Sequence, residues 1–104
     1  MKNEFGAVLD KSGYAPSILG AHNFCYLCYK GGDLARHEIF HGAFRNRSKK
    51  YGLWVNLCPA CHDRLHFSGG KTDLLMKEHA QRQAMEVYKW TTEEWRLKFG
   101  KNYL

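Results

Sequence analysis

Four cysteines fall in two pairs, Cys25-Tyr-Leu-Cys28 and Cys58-Pro-Ala-Cys61, in a C-x2-C-x29-C-x2-C pattern. Four thiolates at this spacing match the ligand set of a tetrahedral structural zinc, which would pin two distant segments of the chain together. The same residues could instead close two disulfides. Disulfides belong to exported chains, however, and the opening Met1-Lys2-Asn3-Glu4 carries no signal-peptide hydrophobic region. Zinc and a cytoplasmic setting are therefore the expectation. No apolar run approaches the roughly 18 residues that a membrane-crossing helix needs, and a mean hydropathy of -0.55 speaks against a membrane protein.

At 104 residues one domain is expected, of a size where a single core is adequate but not generous and a metal staple is useful. The net charge of +6 and pI near 9.3 imply an acidic partner, most often nucleic acid. Position gives that inference its weight. Arg36, Arg45, Arg47, Lys49, Lys50 and Arg64 all lie between or beside the candidate metal ligands.

The pattern along the chain predicts a small α+β fold. Residues 1–24, with Gly6, Gly13, Pro16 and Gly20, read as an irregular lead-in. After the first cysteine pair, Gly31-Gly32-Asp33 makes a turn. Leu34–Phe40 then alternates as a strand, with His37 and Ile39 on one side and Arg36, Glu38 and Phe40 on the other. Ala43–Gly52 reads as a polar, basic connection, and such a run is more often a solvated loop than a binding surface. Leu53-Trp54-Val55-Asn56-Leu57 is the clearest strand, with Leu53, Val55 and Leu57 on one face. Helix is predicted from about Cys61 to Phe67, stopped by Ser68-Gly69-Gly70. A longer helix follows over Lys71–Trp90, capped by Thr72, with an apolar stripe at Met76, Ala80, Ala84, Val87 and Tyr88. Thr91-x-x-Glu94 is a capping box for a last helix through Phe99. Trp54, Trp90 and Trp95 are expected in the core. The chain thus divides into a lead-in (1–24), a metal-bound centre (25–70) and C-terminal helices packed on it (71–104).

The second cysteine pair runs straight into His62-Asp-Arg-Leu-His66, and these ligands exceed what one ion can use. If a helix begins near Cys61, successive side chains diverge by roughly 100°, so Cys61 and His62 point to different places. His62 and His66, four apart, share one helix face. A second metal site, separate from the zinc, is the economical reading. His22 and His79 stand outside it as solvated or packing residues.

Taken in order, the elements are a cysteine knuckle, a strand carrying Arg36-His37-Glu38-Ile39-Phe40-His41-Gly42, a basic connection, a strand, a second knuckle and a helix carrying His62 and His66. This stretch resembles the HNH endonucleases, whose ββα-metal unit holds a catalytic divalent ion between a strand and a helix. In particular it resembles the small HNH proteins of phages and prophages, and the family often carries a flanking four-cysteine zinc; the ending Phe99-Gly100-Lys101-Asn102-Tyr103-Leu104 is also like theirs. The resemblance is strong over residues 25–66 and looser beyond.

What the resemblance implies is a metal-dependent DNA endonuclease of low sequence specificity. Cys25, Cys28, Cys58 and Cys61 would hold structural Zn2+. His37, His62 and His66 would hold a second divalent ion, whether Mg2+, Mn2+, Ni2+ or Zn2+. Arg36, Arg45, Arg47, Lys49, Lys50 and Arg64 would contact DNA, and a phage or host protein is a further possible partner. In the family a histidine directly after the strand ligand usually acts as the base. Here that residue is Glu38, which is expected to take the role, with His41 as the competing candidate. The family's asparagine, which ties down the loop, would fall at Leu53, while Asn56 lies within the strand. These two departures keep open an alternative, a non-catalytic zinc module that binds nucleic acid or protein.

Overall fold

The computed structural model describes residues 1–104. Its elements are β1 (Ala35–Glu38), a 3-10 turn at Gly42–Phe44, α1 (Arg45–Lys50), β2 (Trp54–Leu57), α2 (Pro59–Ser68), α3 (Gly70–Tyr88) and α4 (Thr92–Phe99). The fold is α+β, with four helices and a two-stranded sheet. β1 and β2 run antiparallel, with Arg36 opposite Asn56, His37 opposite Val55 and Glu38 opposite Trp54. Beyond β1 the pairing continues through Ile39 N–H, which donates to Leu53 O at 3.0 Å.

A two-stranded ribbon is marginal in water, and here both of its faces are covered. On one face Leu53, Val55 and Leu57 enter a cluster that also holds Met76, Ala80, Ala84, Trp95 and Phe99 from α3 and α4 and three of the cysteines. The lead-in covers the other face. Trp54 Nε1 donates to Ala15 O at 2.7 Å, and the Tyr14 and Trp54 rings meet edge to face with centroids 5.5 Å apart. This second cover explains why His37, Glu38, Ile39 and Phe40 are all buried, where an exposed strand face would leave alternate residues in water.

The lead-in is irregular as expected, with one bridge between Lys2 and Val8, yet side chains fix it firmly. Asn3 Oδ1 accepts from Phe5 N and Ala7 N, and its Nδ2 donates to Lys50 O at 2.9 Å. Phe5 stacks on Tyr88 with centroids 4.4 Å apart.

The structure corrects four local expectations. Residues 45–50 are a helix and not a loop; the fully buried Ser48 on α1 accepts from Phe40 N and donates to Leu53 O at 2.6 Å, tying both strand ends to it. α2 starts at Pro59, two residues early, because proline suits the first helical position and Cys58 is the cap. Thr72 does not cap α3: α2 and α3 share Gly69 as end and start, and no side chain caps α3. On α3, Val87 is exposed and Gln81 is fully buried in the interior. Gln81 bonds Asn102 and the backbone of Tyr103, fastening the C-terminal tail. The capping box of Thr91 and Glu94 forms as expected.

Gly52 shows how closely the layers approach. It has φ +72, and a Cβ there would lie 2.3 Å from Pro16 O. Gly52→Ala is therefore expected to cost more than about 2 kcal/mol, from left-handed strain plus displacement of the lead-in. Urea denaturation measures it, and a loss below about 0.5 kcal/mol would show that the lead-in gives way freely.

Candidate functional site

The two knuckles are built by local backbone bonds. In the first, Tyr29 N donates to Cys25 O and Cys25 N to Lys30 O, both at 2.8 Å. In the second, β2 ends at Leu57, Cys58 Sγ accepts from Cys61 N at 3.5 Å, and α2 departs. The result is a buried cluster in which the four sulfurs lie within 4.8 Å of one another, with Cys28 and Cys58 Sγ 3.7 Å apart. A tetrahedral ion at about 2.3 Å from each sulfur would place the sulfurs about 3.8 Å apart. No disulfide joins them.

Charge leads to the same conclusion. Burial resists ionisation of Cys25, but backbone N–H groups of Cys58, Cys28 and Leu27 bring its thiol down to about 6, whereas burial and the neighbouring thiols push Cys61 up to about 12. Four thiolates can ionise together only around a positive charge, which a divalent ion supplies. The cluster can hold a metal ion and suits structural zinc.

α2 divides this cluster from a second one. Cys61, Arg64, Leu65 and Ser68 line one cavity with Cys28. His62 and His66 line another with His37, His41, Glu38, Arg36, Arg45 and Tyr14. Ring centroids are 5.3 Å apart for His37 and His62, 5.1 Å for His37 and His41, and 5.0 Å for His62 and His66. His37 Nε2 is buried and has no hydrogen-bond partner. A buried nitrogen left unpaired costs free energy unless something absent from the chain satisfies it. Burial, with His41 and His62 nearby, lowers the His37 pKa to about 4, so at neutral pH its imidazole is uncharged.

Apart from the cysteines, the ligand atoms that gather within 4.8 Å of one another are those of His37, His41 and Asp73, and not the set His37, His62 and His66. Asp73, which sequence reasoning missed, stands in the first turn of α3, just past the Gly69 junction, and lines a cavity with His37, His41, Leu65 and His66. Its one sequence signal is an acid in a helix's first turn, which ordinarily reads as complementing the helix dipole. Asp73 is also paired with Lys77 at 2.9 Å.

Glu38 lines the same cavity but is already engaged. Tyr14 Oη donates to its Oε2 at 2.9 Å and Arg45 Nε to its Oε1 at 2.5 Å. Burial alone would push its carboxyl up, but these two donors outweigh it and hold the pKa below the usual carboxylate value. His41 is also lowered, chiefly by desolvation and against the pull of Asp73.

Of the basic residues, Arg36 and Arg45 line the histidine cavity, while Arg64 lies on the cysteine side of α2. Arg36 also pairs with Asp10 and stacks over Tyr14, and Lys49 stands over the same ring. Arg47 donates to Lys98 O, and Lys50 pairs with Glu4 at 3.6 Å. No helix is long and apolar enough to cross a membrane.

The chain matches no protein-family model, no curated protein and no solved structure.

Because metal-binding energy is folding energy in a domain this small, Cys58→Ser is expected to lose its zinc and its cooperative unfolding transition. Metal analysis and circular dichroism on the same sample check both. A cooperatively folded, zinc-free Cys58→Ser protein would contradict the assignment.

Proposed function

We propose that this chain is a metal-dependent nuclease of the HNH type that hydrolyses DNA phosphodiester bonds with little sequence preference. One observation carries the reading: His37, whose Nε2 is buried and unpaired, lines a cavity together with three more histidines and two arginines. His37, His62 and His66 would hold the divalent ion. Bound there, the ion would supply Lewis-acid stabilisation of the charge that develops on the phosphate.

The chain's own groups supply the rest. Arg36 and Arg45 give the cavity a positive wall for a phosphate. The proton of the attacking water goes to His41, whose imidazole is neutral at physiological pH and whose charged form Asp73 would stabilise. Glu38 holds the motif position where the family's base stands, but its lowered pKa makes it the weaker acceptor. Its part is to hold Arg45 at the cavity wall.

The loop between the strands has its tie in Ser48, whose hydroxyl bridges Phe40 N and Leu53 O. Leu53 itself, in the place of the family's asparagine, is fully buried. The second reading, a zinc module without catalysis that binds nucleic acid or protein, is favoured by this substitution and by the engaged Glu38.

Supercoiled plasmid incubated with the purified protein across Mg2+, Mn2+, Ni2+ and Zn2+ separates the two. Nicked or linear product that disappears in His37→Ala is expected; intact plasmid under every ion would leave the binding module. Within the nuclease reading, His41→Ala should retain its second ion and lose rate by about 10²–10⁴-fold, the usual share of general base catalysis. Glu38→Gln should lose less than about 10-fold. The reverse order would return the base to Glu38, and loss of the ion from His41→Ala would make His41 a ligand together with Asp73.

Binding should be dominated by phosphate contacts. Neutralising Arg36 and Arg45 together is expected to weaken binding to all DNA sequences alike and to flatten the slope of log affinity against log salt by about one unit per lost contact. An unchanged slope would place the DNA surface elsewhere.

A further inference from the structure

A second surface next to the first knuckle takes no part in the chemistry above. His22, Phe24, Tyr26 and Tyr29, with Leu19 and Leu27, line an open cavity of about 480 Å3, within the range of about 300–1,000 Å3 usual for small-ligand sites. The His22 and Phe24 rings lie stacked, with centroids 4.8 Å apart and planes 12° apart. Tyr29 leans towards Phe24 at 5.8 Å and 45°. The wall is held in place from behind, since Asn56 Nδ2 on β2 donates to His22 O at 3.0 Å. Gly20 makes room for it, because a Cβ there would lie 3.1 Å from His22 Nε2.

Tyr29 is the informative residue. The chain must reverse just after Cys28, with Tyr29 N bonded to Cys25 O and Cys25 N to Lys30 O. That reversal puts Tyr29 at φ +65, in the left-handed region. Glycine occupies this conformation without strain, whereas a bulky aromatic does not. Burial does not compensate, because Tyr29 is 73% exposed. A strained residue whose side chain is left in solvent points to use of that side chain.

We infer that this aromatic surface stacks an unpaired nucleobase of single-stranded DNA or RNA. Aromatic faces accept any base, and stacking is the usual means by which proteins hold single strands without reading sequence. The charge balance favours this occupant over an apolar peptide. The chain carries +6, and exposed Lys30 follows Tyr29 directly, so a phosphate chain leaving the cavity meets a cation. The inference extends the nucleic-acid reading of the preceding subsection but does not require cleavage.

The test compares a fluorescent twelve-nucleotide oligothymidine with an abasic oligonucleotide of the same length and charge, by fluorescence anisotropy with the zinc-loaded chain and no added divalent ion. Wild type is expected to bind the thymidine strand at least about 5-fold more tightly, since each stacked base adds appreciable affinity. Tyr29→Gly should unfold at or above the wild-type temperature yet lose that preference, and Tyr29→Phe should keep it. Equal binding of the two strands by wild type, or no binding of either, would overturn the inference and leave the surface for a different partner. So would a preference that survives Tyr29→Gly. Plasmid cleavage plays no part in this readout, so an inactive histidine cluster would sink the nuclease reading and leave the stacking surface standing.

Discussion

The four-cysteine cluster is the interaction on which the rest of the structure depends. It joins the turn before β1 to the start of α2, so one ion held there would close both ends of the segment that contains the whole sheet. Metal binding in zinc-finger peptides is worth about 10–16 kcal/mol, as much as the entire stability of an ordinary domain. The cluster also sets geometry. An ion pinning Cys58 and Cys61 would fix the rotation of α2, and the helix angle between adjacent residues turns His62 and His66 away from the sulfurs towards His37. The cysteine cluster and the histidine cluster thus lie on different sides of one short helix.

Around that anchor the polar groups of the interior are nearly all paired. Ser48, Gln81 and Asn3 each bridge segments distant in sequence, and Tyr14 and Arg45 saturate Glu38. His37 Nε2 is the exception, the one buried side-chain polar atom without a partner. In a chain that satisfies Ser48 and Gln81 so thoroughly, an orphaned imidazole nitrogen beside three other histidines is the observation on which the proposed second metal site rests.

The parts of this architecture legible in the sequence are those with local signals. The cysteine spacing, the alternation of Leu53, Val55 and Leu57, and the capping box of Thr91 and Glu94 each depend on residues close together in the chain, and each appears in the structure. The segment Arg45–Lys50 carries no apolar periodicity, because its helix is stabilised by one buried serine and by tethers from Asn3 and Glu38, so composition alone reads it as a loop. Asp73 and Tyr14 come beside the histidines only through tertiary folding, from the first turn of α3 and across the back of the sheet. Pattern reasoning had no means of placing either. The engagement of Glu38 was hidden for the same reason, since both of its partners come from segments that read as irregular.

Counting bound ions tests the central claim that α2 separates two independent metal centres. Native mass spectrometry of the folded chain should find one zinc that survives dialysis and a second ion taken up when Mn2+ or Ni2+ is added. His37→Ala should keep the first and refuse the second. Loss of both ions from His37→Ala, or uptake of the second ion unchanged, would contradict the account.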